Sequence, residues 1–298
     1  MAHRVRGKAG SGALPVQDLS AFVTRVTAQG RELYRDLPWR RTRDPYAVLL
    51  SEVMLQQTQV PRVVGRYETW LDEFPTVDAL AAAPLSRVLE MWQGLGYNRR
   101  AVGLHRAAEQ VAERFSGTLP ADERLLRALP GIGPATAAGV LAFAFDRPAV
   151  YLETNVRAVF LHEWFADRDG VTDREILPLV SAGVEEAGSQ GIGPREWYYA
   201  LLDYGAHLKR SQPNPSRRSA HHTRQSRFEG SRRQKRAWLL REVMARPALT
   251  AESYAEALAD ADRHAGRDAP RIDDVEAILE DLAEEGFLVR EADTWSVA

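Results

Sequence analysis

The sequence predicts an all-α body followed by a small module of helices and a β-hairpin. Through most of residues 16–208, apolar residues recur at three- and four-residue spacing, and Gly and Pro interrupt this pattern at short intervals. Near the end of the chain, a turn separates two short segments in which β-branched and aromatic residues are frequent. The first pattern is typical of packed amphipathic helices, and the second is typical of a hairpin.

The body is predicted to consist of short helices that each bury one apolar face. They cover residues 16–35, 46–58, 60–73, 77–82, 85–93, 98–114, 122–128, 134–145, 153–163, 173–187 and 194–208. We expect residues 1–15, which precede the first helix, to be a disordered tail. Residues 16–208 are therefore predicted to form one helical domain.

Residues 234–298 are predicted to form a winged-helix-like module. An apolar stripe indicates a first helix, residues 254–258 form a short second helix, and a third helix stops at Gly286. Residues 287–291 and 294–297 then form the hairpin.

The composition is typical of a globular protein without a membrane segment. With 298 residues, of which 45% are hydrophobic, the chain can bury one large core or two modest ones. No run reaches about 18 apolar residues, and no apolar segment follows the basic N-terminus, so we expect an intracellular, cytoplasmic protein. We also expect a monomer. The chain has no cysteine, which excludes disulfides and cysteine-ligated iron–sulfur clusters. We therefore expect no metal site and no cofactor.

A short glycine-rich segment at residues 129–134 is the first candidate for ligand binding. It reads Leu-Pro-Gly-Ile-Gly-Pro, so its two glycines allow a tight turn and its last proline suits the first position of a helix. Exposed amides at a helix start bind phosphate. The candidate DNA contacts of this hairpin are Gly131, Ile132, Gly133 and Thr136. An ordinary connection between two helices can have the same local sequence.

Charge is segregated along the chain, although the formal net charge is only −2. From Lys209 to Arg246, twelve basic residues stand against two acidic ones, whereas the following residues are mainly acidic. A solvated charged surface is the simpler interpretation of either run. Because the basic run follows a hairpin suited to DNA, we expect residues 209–233 to be a connector that contacts phosphate through Arg217 and Arg218.

Several separated motifs occur in one order between residues 36 and 208. They are Leu37-Pro38-Trp39-Arg40, Asp44-Pro45-Tyr46, the run from Ser51 to Val60 (Ser-Glu-Val-Met-Leu-Gln-Gln-Thr-Gln-Val), Gly94-Leu95-Gly96-Tyr97, the hairpin, and Ala200-Leu201-Leu202-Asp203-Tyr204-Gly205-Ala206. In these motifs the chain resembles the helix-hairpin-helix (HhH-GPD) DNA glycosylases, most closely the MutY-type adenine glycosylases. The resemblance implies a two-lobed helical fold, duplex DNA with a mispair or lesion as the partner, and removal of adenine opposite guanine or 8-oxoguanine.

The resemblance also implies roles for individual residues. Glu52 is expected to protonate the adenine, and Glu153 to stabilise the positive charge that develops on the sugar. Three further residues fall where the family probes the opposing base and fills the gap in the duplex, namely Gln56, Gln57 and Thr58. The wall of the base pocket is expected to contain Leu37, Trp39, Arg40, Asn98 and Tyr199.

The chemistry of base removal independently requires two carboxyl groups of this kind. Adenine leaves readily only after a ring nitrogen is protonated, and an apolar helix such as that around Glu52 favours a protonated carboxyl by raising its pKa. The sugar that remains has oxocarbenium character, which a carboxylate such as Glu153 stabilises. Without this context, a Glu in a helix is usually a solvated surface residue.

Some positions depart from the family pattern. Glu153 stands in place of an Asp, Asn98 in place of a Tyr, and Tyr199 in place of a polar residue that helps to recognise adenine. Ala135 stands in place of the Lys that forms a Schiff base in glycosylases that also cut the backbone, so we expect a monofunctional enzyme. Residues 209–225, which contain no cysteine, stand in place of the four cluster cysteines.

Three functions remain compatible with the sequence. The first is removal of adenine from a mispair, and the second is removal of another base, such as thymine, uracil or a damaged base. The third is a catalytically silent protein that binds DNA structure, which the presence of both carboxylates disfavours. Because the third helix of the C-terminal module is acidic, we expect residues 247–298 to brace the body or bind a protein partner instead of DNA.

Overall fold

The computed structural model describes residues 16–221 and 227–298. The predicted tail 1–15 and residues 222–226 of the predicted connector lie outside the described residues. Among the described helices, none has both the length and the apolar character needed to cross a membrane.

The described residues form a helical body and a C-terminal module with a small sheet. In chain order the elements are α1 (Val16–Glu32), α2 (Pro45–Leu55), α3 (Val60–Glu73), α4 (Val77–Ala81), α5 (Leu85–Trp92), α6 (Arg99–Phe115), α7 (Glu123–Arg127), α8 (Pro134–Phe143), α9 (Thr154–Glu163), α10 (Asp173–Ser189), α11 (Pro194–Ser211), α12 (Arg232–Ala245), β1 (Leu249–Thr250), α13 (Ala251–His264), α14 (Ile272–Glu284), β2 (Leu288–Glu291) and β3 (Thr294–Val297). Two short 3₁₀-helices span Pro38–Arg40 and Pro215–Arg218. The predicted fold class, an all-α body with a helical and β-hairpin module, is confirmed.

The chain divides into two compact units, each built from two separated stretches of sequence. The first unit lies within residues 1–35 and 146–222 and contains α1, α9, α10 and α11. The second unit lies within residues 36–145 and 223–298 and contains the other helices and the sheet.

In the first unit, α11 packs closely on α9 and α1. Gly205 of α11 allows this approach, since a Cβ placed on it would lie 2.1 Å from the carbonyl oxygen of Asn155. Phe22 of α1 contacts the rings of Phe160 and Trp197 at centroid distances of 5.3 and 5.9 Å. The start of α9, which carries Glu153 before it, is therefore held against a packed aromatic core.

A buried ion pair joins the end of the first stretch to α11. The carboxylate of Asp203 is fully buried and accepts a hydrogen bond of 2.5 Å from Nε of Arg35. Nη2 of Arg35 also donates to the carbonyl of Leu202 at 3.3 Å. Because a buried carboxylate is stable only with such partners, this pair fixes the position of α11 in the first unit.

In the second unit, most residues of α2, the helix that carries Glu52, are buried. Its Tyr46 hydroxyl donates to the carbonyl of Phe74 at 2.9 Å and accepts from Nε1 of Trp70 at 3.0 Å. The ring of Trp70 meets that of Trp92 edge to face at 5.5 Å. These contacts pack α2 against α3, and α3 against α5.

The C-terminal module has the predicted three helices and a sheet in the order β1-β3-β2. Trp295 lies on the central strand opposite Leu249 and Arg290 and is buried. The hairpin is thus the core of an antiparallel sheet of three strands, since the two-residue strand β1 pairs with its outer side.

The acidic third helix of the module, α14, is partly neutralised inside the second unit. Asp281 pairs with Arg232 of α12 at 2.7 Å. Glu285, which follows α14, pairs with Arg236 of α12 at 2.8 Å and accepts from Nε and Nη2 of Arg99, both at 2.6 Å. Arginines of α12 and α6 therefore bind carboxylates of the module.

Several element boundaries differ from those expected from the sequence. Helix α13 extends from Ala251 to His264, beyond the predicted 254–258, because the side chain of Thr250 caps its start. Helix α11 continues to Ser211, so the first residues of the predicted connector are helical. Helix α2 ends at Leu55, three residues earlier than predicted.

Candidate active site

Glu52 projects from a helix whose other side chains are nearly all buried. The helix α2 starts at Pro45, and the carboxylate of Asp44 caps it by accepting from the amides of Tyr46 and Ala47 at 3.4 and 3.0 Å. From Tyr46 to Met54, every residue except Glu52 is buried, and Glu52 is half-buried. The structure thus places a carboxyl group at the edge of an apolar helix, as the predicted acid requires.

The three residues after α2 form a short loop with an unusual backbone. Gln57 is exposed and adopts a left-handed conformation with φ of 53°, which is rare for a residue other than glycine. Nε2 of Gln56 donates to Oγ1 of Thr136 at 2.9 Å, and Thr58 is buried. Of the three predicted contacts to the opposing strand, the side chain of Gln57 is the exposed one.

The hairpin at residues 129–134 joins α7 to α8 in the second unit. Gly131 has φ of 74°, and a Cβ placed on it would lie 3.2 Å from Cα of Gly103, so both the turn and the contact require glycine. Gly133 is exposed and precedes α8, whose first-turn amides have no acceptor within the helix. This geometry favours an anion at the start of α8.

Two of the predicted hairpin contacts have buried side chains. Ile132 is 6% exposed and anchors the turn in the core, and its backbone amide donates to the carbonyl of Leu129 at 3.2 Å within the turn. Thr136 is 5% exposed, and its hydroxyl accepts the hydrogen bond from Gln56. Thr136 therefore connects the hairpin helix to the end of α2 and does not present its side chain to solvent.

The sequence pattern predicts Glu153 as the first residue of its helix. In the structure, Glu153 is instead the N-cap residue of α9, which starts at Thr154. Its Oε1 accepts from the amides of Asn155 and Val156 at 2.5 and 3.0 Å, and its Oε2 lies 3.4 Å from Nδ2 of Asn155. An Asp commonly caps a helix in this way. The longer Glu folds back onto the amides of Asn155 and Val156 in the same manner.

The surroundings of Glu153 act on its pKa in opposite directions. Burial raises the pKa of this carboxyl, whereas the amide hydrogen bonds and the nearby charges of Lys209 and Arg157 oppose the rise. Nζ of Lys209 donates to Oγ1 of Thr154 at 2.9 Å and to Oδ1 of Asn155 at 3.2 Å. Burial is the larger effect, so the pKa of Glu153 is raised although these donors favour its charged form.

The predicted base-pocket residues occur in both units. In the second unit, Trp39 and Arg40 are buried in a 3₁₀-helix, Leu37 and Asn98 are half-buried, and Trp39 meets the ring of Tyr67 at 5.6 Å. In the first unit, Tyr199 is buried, and the guanidinium of Arg195 lies 5.2 Å from its ring centroid.

The segment that stands in place of the cluster cysteines is held to the end of α9 by an arginine side chain. Nη1 of Arg218 lies within hydrogen-bond distance of the carbonyls of Leu161, Phe165 and Ala166, at 3.1, 3.1 and 2.7 Å. Arg218, which the sequence predicts to contact phosphate, is therefore used to cap the end of α9. Arg217 is exposed, and its phosphate contact stays a prediction.

The residues of this segment do not fit an iron–sulfur cluster. A cluster of this family type is bound by thiolates, and the chain has no cysteine. In the described ranges, no three His, Asp or Glu side chains are grouped so that they could hold a metal ion.

One structurally prominent residue near α2 was missed in the sequence analysis. Arg100 lies two residues after Asn98 and donates to the carbonyl oxygens of Val53 and Met54 at 2.7 and 3.0 Å. A pair of basic residues shortly after the Gly-Leu-Gly-Tyr motif, Arg99 and Arg100, was the sequence signal for it.

Comparisons with known proteins agree with the motifs. Residues 50–181 match the family model described as HhH-GPD superfamily base excision DNA repair protein. The chain is 37% identical over 172 residues to an adenine DNA glycosylase of Buchnera aphidicola, covering 58% of this chain and 48% of that protein. It is 40% identical over 149 residues to one of Mycolicibacterium smegmatis, covering 50% and 51%, and 39% identical over 153 residues to one of Homo sapiens, covering 48% and 28%. The chain thus spans about half the length, or less, of these relatives.

Solved structures show the same fold at lower sequence identity. A thermostable thymine-DNA glycosylase matches with a TM-score of 0.57 and 22% identity, covering 67% of this chain and 91% of that chain. A trapped endonuclease III–DNA covalent intermediate matches with a TM-score of 0.52 and 20% identity, covering 67% and 90%. The solved structures thus show the same fold, and residues 50–181 match the model of the HhH-GPD superfamily of base excision DNA repair proteins.

Proposed function

We propose that this protein is a monofunctional DNA glycosylase that hydrolyses the N-glycosidic bond of adenine in a mispair. The observation that carries the proposal is the hydrogen bond of 2.9 Å between Gln56 and Thr136. It links the end of the helix that bears Glu52 to the helix that follows the glycine hairpin. In the second unit, the candidate acid and the candidate phosphate-binding turn are therefore parts of one packed structure.

In the proposed reaction, the amides at the start of α8 bind a backbone phosphate and the target base leaves the helical stack. Gln57, exposed at the tip of its loop, occupies the gap that the base leaves. Glu52 then gives a proton to a ring nitrogen of the base, and the bond to C1′ breaks with its electrons moving into the base. The positive charge on the sugar is stabilised by the carboxylate of Glu153. Water adds to C1′ and releases a proton, which leaves an abasic site.

The absence of strand cleavage is part of the proposal. Ala135 is exposed directly after the hairpin and has no amine to form a Schiff base with the sugar. No cofactor is assigned, because hydrolysis by this route requires only the two carboxyl groups and water. The names of the curated relatives, all adenine DNA glycosylases, support adenine as the base.

Removal of a different base is the second candidate. It is favoured by Tyr199, a buried aromatic ring beneath Arg195 at a position where the family places a polar residue that helps to recognise adenine. The proposed partner in either case is duplex DNA with a mispair or lesion, and the proposed location is the cytoplasm. We further propose that residues 16–208 form the glycosylase domain and 234–298 an accessory module, in a monomer.

A panel of duplexes with one defined lesion each tests the proposal. The panel should contain adenine opposite guanine, 8-oxoguanine and thymine, and also thymine and uracil opposite guanine. We expect release of free adenine from the first two duplexes, with strand breaks appearing only after alkali treatment. Release of thymine or uracil but not adenine would select the second candidate, and no release from any duplex would contradict a glycosylase function.

A further inference from the structure

Arg100, in the first turn of α6, contacts four backbone carbonyls and one side-chain hydroxyl with its guanidinium. Its Nη1 donates to the carbonyls of Val53 and Met54 at 2.7 and 3.0 Å. Its Nη2 lies 3.1 Å from Oγ1 of Thr58. The same nitrogen lies 3.1 and 2.9 Å from the carbonyls of Leu95 and Gly96. One guanidinium thus contacts three separate segments: the end of α2, the loop that ends at Thr58, and the loop that contains Leu95 and Gly96.

The first of these pieces is the end of the helix that carries Glu52. The last four carbonyls of an α-helix have no partner within the helix, and Val53 and Met54 are two residues of the last turn of α2. Val53 directly follows Glu52 in the sequence. Arg100 therefore fixes the helix end beside the candidate acid and places a positive charge where the helix dipole favours it.

The other pieces are the two loops that contain left-handed residues. Thr58 closes the loop of Gln57, and Leu95 and Gly96 belong to the loop of Tyr97. Gln57 and Tyr97 have φ of 53° and 49°, conformations that persist in non-glycine residues only when neighbouring contacts hold them. Both residues are exposed. Arg100 supplies such contacts to both loops at once.

The guanidinium of Arg100 is held in one orientation. It lies 5.2 Å from the ring centroid of Trp92 and 5.7 Å from that of Tyr97. Burial lowers the pKa of Arg100 to about 10, so the group remains charged at neutral pH. A planar fork with fixed donors is suited to this task, and a lysine ammonium would be a poorer substitute.

We propose that Arg100 is a positioning residue that holds the loop of Gln56, Gln57 and Thr58 rigid, so that this loop can occupy the duplex when a base is extruded. The inference rests on the proposed function, since it assigns the loop its task in base removal. Arg100 itself does not contact the base. Its effect is exerted through Thr58 and through the carbonyls at the end of α2.

The test compares two duplexes that differ in whether the loop must separate the target base from an opposing base. One contains the excised base in its mispair, as identified with the duplex panel, and the other contains the same base opposite a tetrahydrofuran abasic analogue. The second duplex has no opposing base to separate from the target, so it depends less on a rigid wedge. Single-turnover excision rates should be measured on both, together with 2-aminopurine fluorescence at the target position as a readout of unstacking.

Arg100→Met should slow excision from the mispair at least tenfold more than excision opposite the abasic analogue, and should lower the 2-aminopurine signal. Arg100→Lys, which keeps the charge with fewer donors, should lie between the parent and Arg100→Met. Arg99→Met is the matched control, because Arg99 precedes it in the same helix but pairs with Glu285 of the module. This control should leave the ratio of the two rates unchanged.

Equal losses on both duplexes in Arg100→Lys, which retains the charge and most of the volume, would mean that Arg100 serves only the fold and would overturn the inference. An unchanged ratio in both variants would do the same. If the unmodified protein removes no base from either duplex, the proposed function fails instead. The two failures are therefore distinguishable.

Discussion

Glu52 and Glu153 are the same residue type, but they occupy different positions in their helices. Glu52 lies in the last two turns of α2, where the backbone amides are already used within the helix. Glu153 precedes α9, and its carboxylate accepts the free amides of Asn155 and Val156. A helix start favours a carboxylate, and the body of an apolar helix does not.

This difference gives a physical reason for dividing the two roles in the proposed reaction. Glu153 has donors directed at it from Asn155 and Val156 and positive charge nearby on Lys209. Burial raises the pKa of this carboxyl, and these donors and the charge oppose the rise, so the carboxylate is held in place beside a developing cation. Glu52, among the buried side chains of α2, is suited to carry the proton.

The largest expected effect is that of Glu52→Gln. The variant should bind the mispaired duplex as the parent does and lose base release by several orders of magnitude, since one acid contributes roughly 10²–10⁴-fold and leaving-group activation is lost with it. Single-turnover rates and duplex affinities would check this. A variant as fast as the parent would remove Glu52 from the mechanism.

A smaller effect is expected at Glu153. Glu153→Gln should slow excision about a hundredfold or more, because a neutral amide cannot balance the charge on the sugar. Glu153→Asp should retain most of the activity, since Asp can cap the same amides of α9. Equal rates for Glu153→Ala and the parent would assign Glu153 a purely structural role.

The same residue should also show a stability effect that depends on pH. Because burial raises the pKa of the Glu153 carboxyl above its ordinary 4.5, the folded protein binds this proton more tightly than the unfolded chain. Ionisation therefore costs stability as the pH rises from 4.5 through the raised pKa. Glu153→Gln should melt at a higher temperature than the parent at pH 7, and the difference should shrink below pH 4.5. A lower melting temperature of the variant at pH 7 would contradict this.

Two neighbouring arginines of the connector should affect different properties: one the stability of the protein, the other its affinity for DNA. Arg218→Gln should lower the free energy of unfolding by about 1–2 kcal/mol, because its hydrogen bonds to three carbonyls are weakened. Arg217→Gln should leave stability unchanged and reduce the salt dependence of duplex affinity by about 0.9 in the logarithmic slope. Thermal melts and salt titrations on both variants measure this. An unchanged slope for Arg217→Gln would place the DNA elsewhere.

The smallest effect is expected at the ion pair between Arg99 and Glu285. Arg99 is largely exposed and Glu285 keeps its second partner Arg236, so breaking the pair with Arg99→Gln should cost about 0.2–1 kcal/mol of stability at most. The loss should disappear in high salt. A cost well above this range that persists in high salt would contradict the assignment of this pair as a weak surface contact.

Much of the second unit could be predicted from sequence because its signals are local. The cap of α2 follows from Asp44 and Pro45, and the turn before α8 follows from its glycines. The end of α2 could not be predicted, since residues 56–58 contain no Gly or Pro to mark a helix end and the helix stops where Arg100 binds its carbonyls. That contact joins residues about 47 positions apart in the sequence.

Two residues have structural roles that depend on contacts the sequence pattern does not show. Arg218 is one of many arginines in a basic run, and only the position of the end of α9 makes it a capping residue. Glu153 was expected inside its helix because Glu is a common helical residue and a less common N-cap than Asp. Its role as a cap follows from the amides of Asn155 and Val156 that it reaches.

The division of labour between the two carboxyl groups can be measured most directly by binding and not by rate. A duplex that carries a pyrrolidine in place of the target sugar presents a cation at the position of the developing charge, and a tetrahydrofuran duplex is its neutral control. We expect Glu52→Gln to bind the pyrrolidine duplex nearly as tightly as the parent, and Glu153→Gln to bind it at least tenfold more weakly, with equal affinities of all three proteins for the neutral duplex. Equal loss of the cationic preference in both variants, or no loss in Glu153→Gln, would contradict the proposed roles.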